Sequence, residues 1–484
     1  MNRRYQGMIL ASWKPLGVLL VTGVMTTMGA VAVNPCDYGA VGDGVADDTV
    51  AVQRAVNESD KGRVYFPRGV YRITDTIDID LATLGVVNLA GAGGGARVLM
   101  AGPGPTFRFR GNHRGTAAPE SFTPEVSDRE RGPSIVSLEI VGAHPEADGI
   151  AFIGTVQASV HGALIREVRH GLHFVERNRN ITVDASHIYH CSGVGIFFDR
   201  VNLHQANITG CHISYCKGGG VRVLGGEVRN LQITGNDIEY NYDLDATASA
   251  DVWIDMADGS IEEGTIASNT IQARPSPNGA NIRFEAAEKH ARIGLWTISG
   301  NLIGSQTTNI HLKNVTGIAV TGNHIYTGAE HALLLDGARH VVVSGNSMDQ
   351  EHNRGRDMAN GVRIVNCDGV LLQGNLLSDA HAGTETDGGA VAVVNSRETM
   401  IANNQIFEPR HCGIYVENSR NTTISNCMVL HRTGDNPTHA AIEVIGNNPG
   451  TVIRDTRYHP GIRGGILAPE TAILRDNIPA AAMD

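Results

Sequence analysis

From about residue 180 the chain repeats one short pattern of apolar and polar positions. Read in order, Val183–Ile188 is VDASHI, Ile208–Ile213 is ITGCHI and Ile233–Ile238 is ITGNDI. The series continues through Ile266–Ile271, Ile298–Ile303, Val320–Ile325, Val343–Met348, Leu372–Leu377, Ile401–Ile406 and Ile424–Val429. Its fourth place holds Ser186, Cys211, Asn236, Asn269, Asn301, Asn323, Asn346, Asn375, Asn404 and Cys427, spaced 22 to 33 residues apart. The shortest spacing fits one minimal coil of a solenoid, and the longer ones fit that coil plus a loop. Each unit predicts two short strands joined by a sharp bend. Asn suits such a bend because it tolerates left-handed backbone, and stacked Asn side chains can bond from coil to coil as an inward ladder. The asparagines are therefore expected to be structural.

After each bend unit comes a second pattern: a small residue, then apolar and variable residues in alternation. Gly195–Asp199, Asp251–Asp255, Asn281–Glu285, Asn309–Lys313 and Gly413–Glu417 all follow it. Side chains alternate across a strand, so the two apolar places point inward and the variable ones outward. One unit cannot bury its apolar side, but stacked units share a continuous core. The fold expected is all-β: a right-handed parallel β-helix. Upstream, Asp47–Val56 predicts a capped helix that would cover the first coil. Residues 111–133 read as a long insertion, a solvated loop or a flap over the groove. The domain plan expected is 1–32 signal peptide, 33–460 β-helix, and 461–484 a tail or cap where the pattern fades.

Composition narrows the chemistry. Aromatics are 5% and glycines number 58, so the core is aliphatic and the chain rich in turns. The net charge of −11 argues against a nucleic-acid partner, which needs surplus Lys and Arg. The seven cysteines form no dense framework. Cys191 and Cys216 fall at matching places in successive repeats and could pair, although buried thiols are the expectation. Arg3, Arg4 and Lys14 precede an apolar run, Leu16 to Val24, with Ala30-Val31-Ala32 beyond it. This reads as a secretory signal, which places the mature protein outside the cytoplasm, secreted or periplasmic and free of the membrane. The competing reading is an uncleaved anchor.

The segment Asp37–Ala55 (DYGAVGDGVADDTVAVQRA), followed by Gly62–Ile73 (GRVYFPRGVYRI), resembles the opening of pectate-lyase-superfamily β-helix proteins. That resemblance implies the fold. It does not fix the reaction, since the superfamily holds hydrolases, lyases, uronan epimerases and phage tailspikes. The Asn-Thr-Asp, Asp-Asp, Gly-His-Gly and Arg-Ile-Lys motifs of polygalacturonases are absent as a set, and so is the Asp-Pro-His-Glu of bacterial mannuronan epimerases. Val252–Asp255 (VWID) resembles a Trp-Ile-Asp-His stretch of pectate lyases, with Met256 in place of the His.

Function is then sought in the outward places of the second strand. One row reads His173, Phe197, Arg222, Trp253, Arg283, His311, Leu334, Arg363, Ala392, Tyr415 and Glu443. The other reads Val175, Asp199, Leu224, Asp255, Glu285, Lys313, Asp336, Val365, Val394, Glu417 and Ile445. Titratable and aromatic residues concentrate between Arg222 and Arg363, beside insertions that carry Tyr242, Arg274, His352 and Arg354. A groove for an extended acidic polysaccharide is the expectation. Proton abstraction beside a uronate carboxylate needs a base and a cation to offset the developing charge, and Lys313, Arg283 and His311 are the candidates. Arg222, Arg363, Asp336 and Tyr242 would hold the flanking sugars, with Trp253 stacked on one of them. Asp251, Asp255 and Glu285 are candidates to gather a Ca²⁺ ion. A rival reading is hydrolysis by a carboxylate pair, Asp255 with Glu285 or Asp336. A third is binding without catalysis. Self-association, which gives trimers in some related solenoids, is left open.

Overall fold

The computed structural model describes residues 32–59, 62–115, 119–287, 291–350, 358–431 and 438–480. The expected signal therefore lies outside the described residues except for Ala32, and so do His352 and Arg354. The described chain is a parallel β-solenoid of about 15 turns, and from Ala32 onward it forms one compact unit. Among the described residues no helix is long and apolar enough to cross a membrane.

A representative coil shows how the pattern becomes structure. Asp237–Glu239 is a short bend strand, Ser249–Met256 a wall strand and Gly259–Ala267 a third strand. Each pairs in parallel with its counterpart one coil on: Thr270–Gln272, Gly279–Ala286 and Ala291–Ser299. Inward residues such as Val252, Ile254, Ile261, Ile266 and Ile271 are fully buried and join one cluster running the length of the solenoid. Its first coil is covered by the helix Thr49–Asn57, which buries Val52 and Val56. The Gln53 side chain of that helix bonds both the amide and the carbonyl of Asp78, occupying a strand edge that would otherwise stay open.

The asparagine ladder is real and fully bonded. Asn323 accepts from the amide and side chain of Asn301 at 3.0 and 2.9 Å, and donates to Ile298 O and Asn346 Oδ1 at 3.0 and 2.9 Å. The same bonds link Asn236, Asn269, Asn301, Asn346, Asn375 and Asn404. The left-handed backbone, however, falls one residue before the ladder asparagine. Gly235, Ser268, Gly300, Gly322, Gly345, Gly374 and Asn403 have positive φ there. Glycine takes the strained dihedral in five of these seven coils, and the ladder asparagine serves as a connector.

Among the described residues of 111–133 many are exposed, but the insertion is anchored to the solenoid: Glu130 is buried and accepts from Asn112, Arg129 reaches Thr83 O, and the Phe122 ring lies under Arg179. Residues 464–479 are no patternless tail, because their three strands pair with Ala440–Ile445, Val452–Arg454 and Arg457–Tyr458 to add one more coil. Cys191 and Cys216 are buried free thiols, as expected.

Candidate functional site

The outward rows are in register on one wall. Arg222 pairs with Trp253, Trp253 with Arg283, Arg283 with His311, His311 with Leu334 and Leu334 with Arg363. Two residues along, Asp255, Glu285, Lys313 and Asp336 form the neighbouring column. Parallel pairing sets adjacent members about 4.8 Å apart. The insertions 240–248, 273–278 and 379–390 all leave the chain between a bend strand and the following wall strand. They therefore rise from the same edge of the wall and form a rim on one side of it.

Most charges on the wall are paired. Arg222 Nη2 donates to Asp255 Oδ2 at 2.6 Å while its guanidinium lies 4.1 Å from the centre of the Trp253 ring. Lys313 Nζ donates to Glu285 Oε1 at 2.7 Å. Arg283 lies on the other side of Trp253, 5.8 Å from the ring centre, and bonds the backbone and side-chain oxygens of Asn278 in the 273–278 insertion. That cover leaves Arg283 only 2% exposed and His311 only 9%. Both stand outside the apolar core but at the floor of the wall, beneath their neighbours. Trp253, Asp255, Glu285, Lys313, Asp336 and Arg363 are half-buried.

Environment separates the titratable groups. Burial, and secondarily the Arg283 charge, pushes the His311 imidazole down to about 4, so it is neutral at pH 7 and able to take a proton. Burial also works on Glu285, raising its carboxyl, but the Lys313 hydrogen bond and the charges of Lys313, Arg283 and His311 outweigh it and hold the group below the usual range. Several buried polar atoms on the wall have no partner, among them Arg222 Nε, Trp253 Nε1 and Arg283 Nε. Unpaired donors at one surface are costly unless water or a ligand completes them.

The expected Ca²⁺ set does not converge. Asp251 is fully buried at the corner where the wall strand begins, accepting from Asn241 N, Asn241 Nδ2 and Asn281 Nδ2 at 2.9, 3.1 and 3.0 Å. Burial pushes its carboxyl up to about 8, against the pull of those donors. It belongs to the inner polar scaffold and stands four strand residues, roughly 13 Å, from Asp255. Asp255 and Glu285 are each engaged by a cation. Among the described residues, the ligand atoms that do gather are those of His212, Asp237 and Glu239, within 4.8 Å of one another on the bend-strand wall. Tyr242 lies half-buried in its insertion, and no hydrogen bond or ring contact joins it to the wall among the described residues.

Two features escaped the sequence reading. The early coils are not bland: His173 stacks on Phe197 at 5.2 Å and lies 3.3 Å from Asp199, with His170 packed 5.0 Å from Phe197. The second is a cavity of about 270 Å³ beside Arg363, lined by His331, Ala392 and the loop residues Ala382–Thr384 and Asp387–Gly389. The 29-residue interval between Asn375 and Asn404 was the available signal for that loop.

A family profile described as right-handed beta helix region matches residues 135–271 and 308–469, more than half of the chain. The chain belongs to the right-handed β-helix family. Residues 32–119 of this β-helix protein also match the family described as rhamnogalacturonase A/epimerase, pectate lyase-like, which together with the fold places it in the pectate-lyase superfamily. Mannuronan C5-epimerase AlgE1 of Azotobacter vinelandii is 36% identical over 101 residues, 20% of this chain and 7% of that protein. AlgE6 of the same organism is 39% identical over 84 residues, 16% of this chain and 10% of its own length. The β-helix chain thus spans no more than a tenth of these relatives. Among solved structures, the Dettilon tailspike protein gp208 superposes with a TM-score of 0.52 at 14% identity, over 77% of this chain and 66% of that one. This is a likeness of fold alone.

Proposed function

We propose that this protein binds a uronate-containing polysaccharide along the wall from Arg222 to Arg363 and cleaves it by β-elimination. The observation that carries the reading is the column Arg222, Trp253, Arg283, His311, where an aromatic face between cations adjoins a neutral imidazole and buried donors wait without partners. Similarity to proteins named for action on mannuronan and rhamnogalacturonan supports the substrate class.

In this mechanism His311 takes the proton beside the sugar carboxylate. Arg283 and Lys313 offset the charge that develops there. The electron pair of the broken C–H bond forms a double bond as the glycosidic C–O bond opens, and the leaving oxygen takes a proton from solvent. Hydrolysis is the second reading, because Asp255 and Glu285 stand on adjacent coils. A hydrolytic general acid needs a raised pKa, whereas the neighbours of Glu285 hold it low, so elimination is preferred. The first 32 residues direct the protein out of the cytoplasm in this reading.

A panel of acidic and neutral polysaccharides, followed by ultraviolet absorbance and a reducing-end assay, tests the proposal. Unsaturated, absorbing products from acidic polymers are expected. New reducing ends without absorbance would establish hydrolysis instead, and binding with neither signal would leave a non-catalytic binder.

A further inference from the structure

The Arg363 cavity differs from the rest of the wall. Arg222, Arg283 and Lys313 each face a carboxylate, but among the described residues Arg363 has no hydrogen-bond or ion-pair partner. Beside it, at the start of the strand His331–Asp336, His331 is half-buried and its Nδ1 lacks a partner. The Arg363 charge and, above all, burial push that imidazole down to about 4, so the histidine is neutral at pH 7. Facing both residues across the cavity is the loop Ala382–Gly389, with Thr384 and Asp387, while Glu330 stands at the rim. Glu330 and Asp387 are exposed; they remain hydrated and are placed to accept from hydroxyls. The cavity thus offers one open cation, one neutral imidazole and several hydroxyl acceptors.

The cationic row also ends here. Beyond Arg363, the outward residues Ala392, Val394 and Tyr415 are buried in a small apolar cluster of their own, and Glu443 is buried and tied to Arg463 at 3.0 Å. A polymer lying along the wall from Arg222 meets the loop at Arg363, past which the first outward row is buried and only Val365, Glu417 and Ile445 of the second stay half-buried.

We propose that the cavity between Arg363, His331 and the loop 382–389 is a subsite for one acidic sugar at the end of the cationic row, with its carboxylate on Arg363 and its hydroxyls toward Asp387 and Glu330. The inference rests on the reading of the wall as a uronate groove, and its test does not depend on cleavage. At about 270 Å³ the cavity falls just below the range of roughly 300–1,000 Å³ usual for drug-sized ligands, which fits a single ring rather than a chain.

Calorimetric titration of the full chain with mannuronic, galacturonic and glucuronic acids, and with glucose, tests it. At least one uronic acid is expected to bind about tenfold or more tighter than glucose, because a charge-assisted bond separates them. The R363Q variant should lose that preference, while R292Q, at an exposed position of the third strand Ala291–Ser299, keeps it. Equal binding of acid and neutral sugar, no binding of any acid, or an equal loss in R292Q would overturn the subsite. Uronic-acid binding lost in R363Q, together with no cleavage of any polymer, would retain the subsite and defeat the lyase reading. Cleavage by a protein whose R363Q variant binds uronic acids like the wild type would do the reverse.

Discussion

Two ladders run along this solenoid, and they are built by the same stacking. Inside, Asn236 to Asn404 hand hydrogen bonds from coil to coil until each amide shown has a partner. Outside, Arg222, Trp253, Arg283 and His311 stack in the same register yet leave Arg222 Nε, Trp253 Nε1 and Arg283 Nε unpaired. A closed ladder can only hold the fold. The outer ladder keeps open valences, which under the proposed function a ligand would fill. Polar stacking alone therefore does not separate the two rows; incomplete satisfaction does, although unmet buried atoms also occur off the wall, at Trp296 Nε1 and Arg177 Nη2 among others.

The comparison breaks first at Asn323. Asn323→Leu removes four buried hydrogen bonds and leaves the Asn301 amide without an acceptor. Orphaned buried groups cost about 1–3 kcal/mol each, so a loss on the order of 3–6 kcal/mol is expected. Hydrogen exchange should show the coils around Asn301 and Asn346 opening first. Lys313→Met on the outer ladder removes a part-exposed ion pair with Glu285 and should cost about 1 kcal/mol or less. Equal costs for the two variants would erase the distinction between the ladders.

This contrast also explains what the sequence could reveal. Every coil meets the same steric demands, so the repeat of Ile, Gly and Asn announced the fold, and alternation placed Trp253, Arg283, His311 and Lys313 on one wall. Corners follow no alternation. Asp251 shares the parity of Trp253 and Asp255, yet the chain turns there and the carboxylate folds inward onto Asn241 and Asn281. The bend misled in a similar way, since Gly300 and Gly322 carry the positive φ assigned to the asparagines. Loops were the least legible: nothing in the local pattern tells that 382–389 faces Arg363 or that Phe122 tucks beneath Arg179, because both contacts join segments with no shared period.

On the outer ladder the largest catalytic effect is expected at Lys313 and His311. Lys313→Ala and His311→Gln should each lower kcat by about 100-fold or more with little loss of polymer binding. An unchanged kcat in both variants would leave the wall a binding surface only. His311→Gln also carries a pH signature. The folded imidazole sits near 4, below the ordinary value of 6.5, so between those pH values the unfolded chain holds a proton that the native state lacks. Stability is full above pH 6.5 and falls as the pH drops toward 4, by up to roughly 3 kcal/mol for this group. In the Gln variant, denaturation midpoints between pH 4 and 6.5 should follow a shallower slope, although His113, His170 and His331, whose imidazoles burial also pushes down to about 4, keep part of it.

The smallest effect sharpens the comparison at a single atom. Trp253 offers two things to a ligand: a ring face shared with the Arg222 guanidinium, and an indole N–H that nothing in the protein accepts. Trp253→Phe keeps most of the face and deletes only the donor; Trp253→Ala deletes both. If the open valence is filled by substrate, the Phe variant should raise KM by about 3- to 10-fold, the usual weight of one hydrogen bond, and the Ala variant should raise it further while kcat stays within a few-fold. If Phe restores the wild-type KM, the ring alone is used. The unpaired N–H would then be a tolerated cost of packing Trp253 between Arg222 and Arg283, and incomplete satisfaction would fail as the mark of function at the very residue where it is clearest.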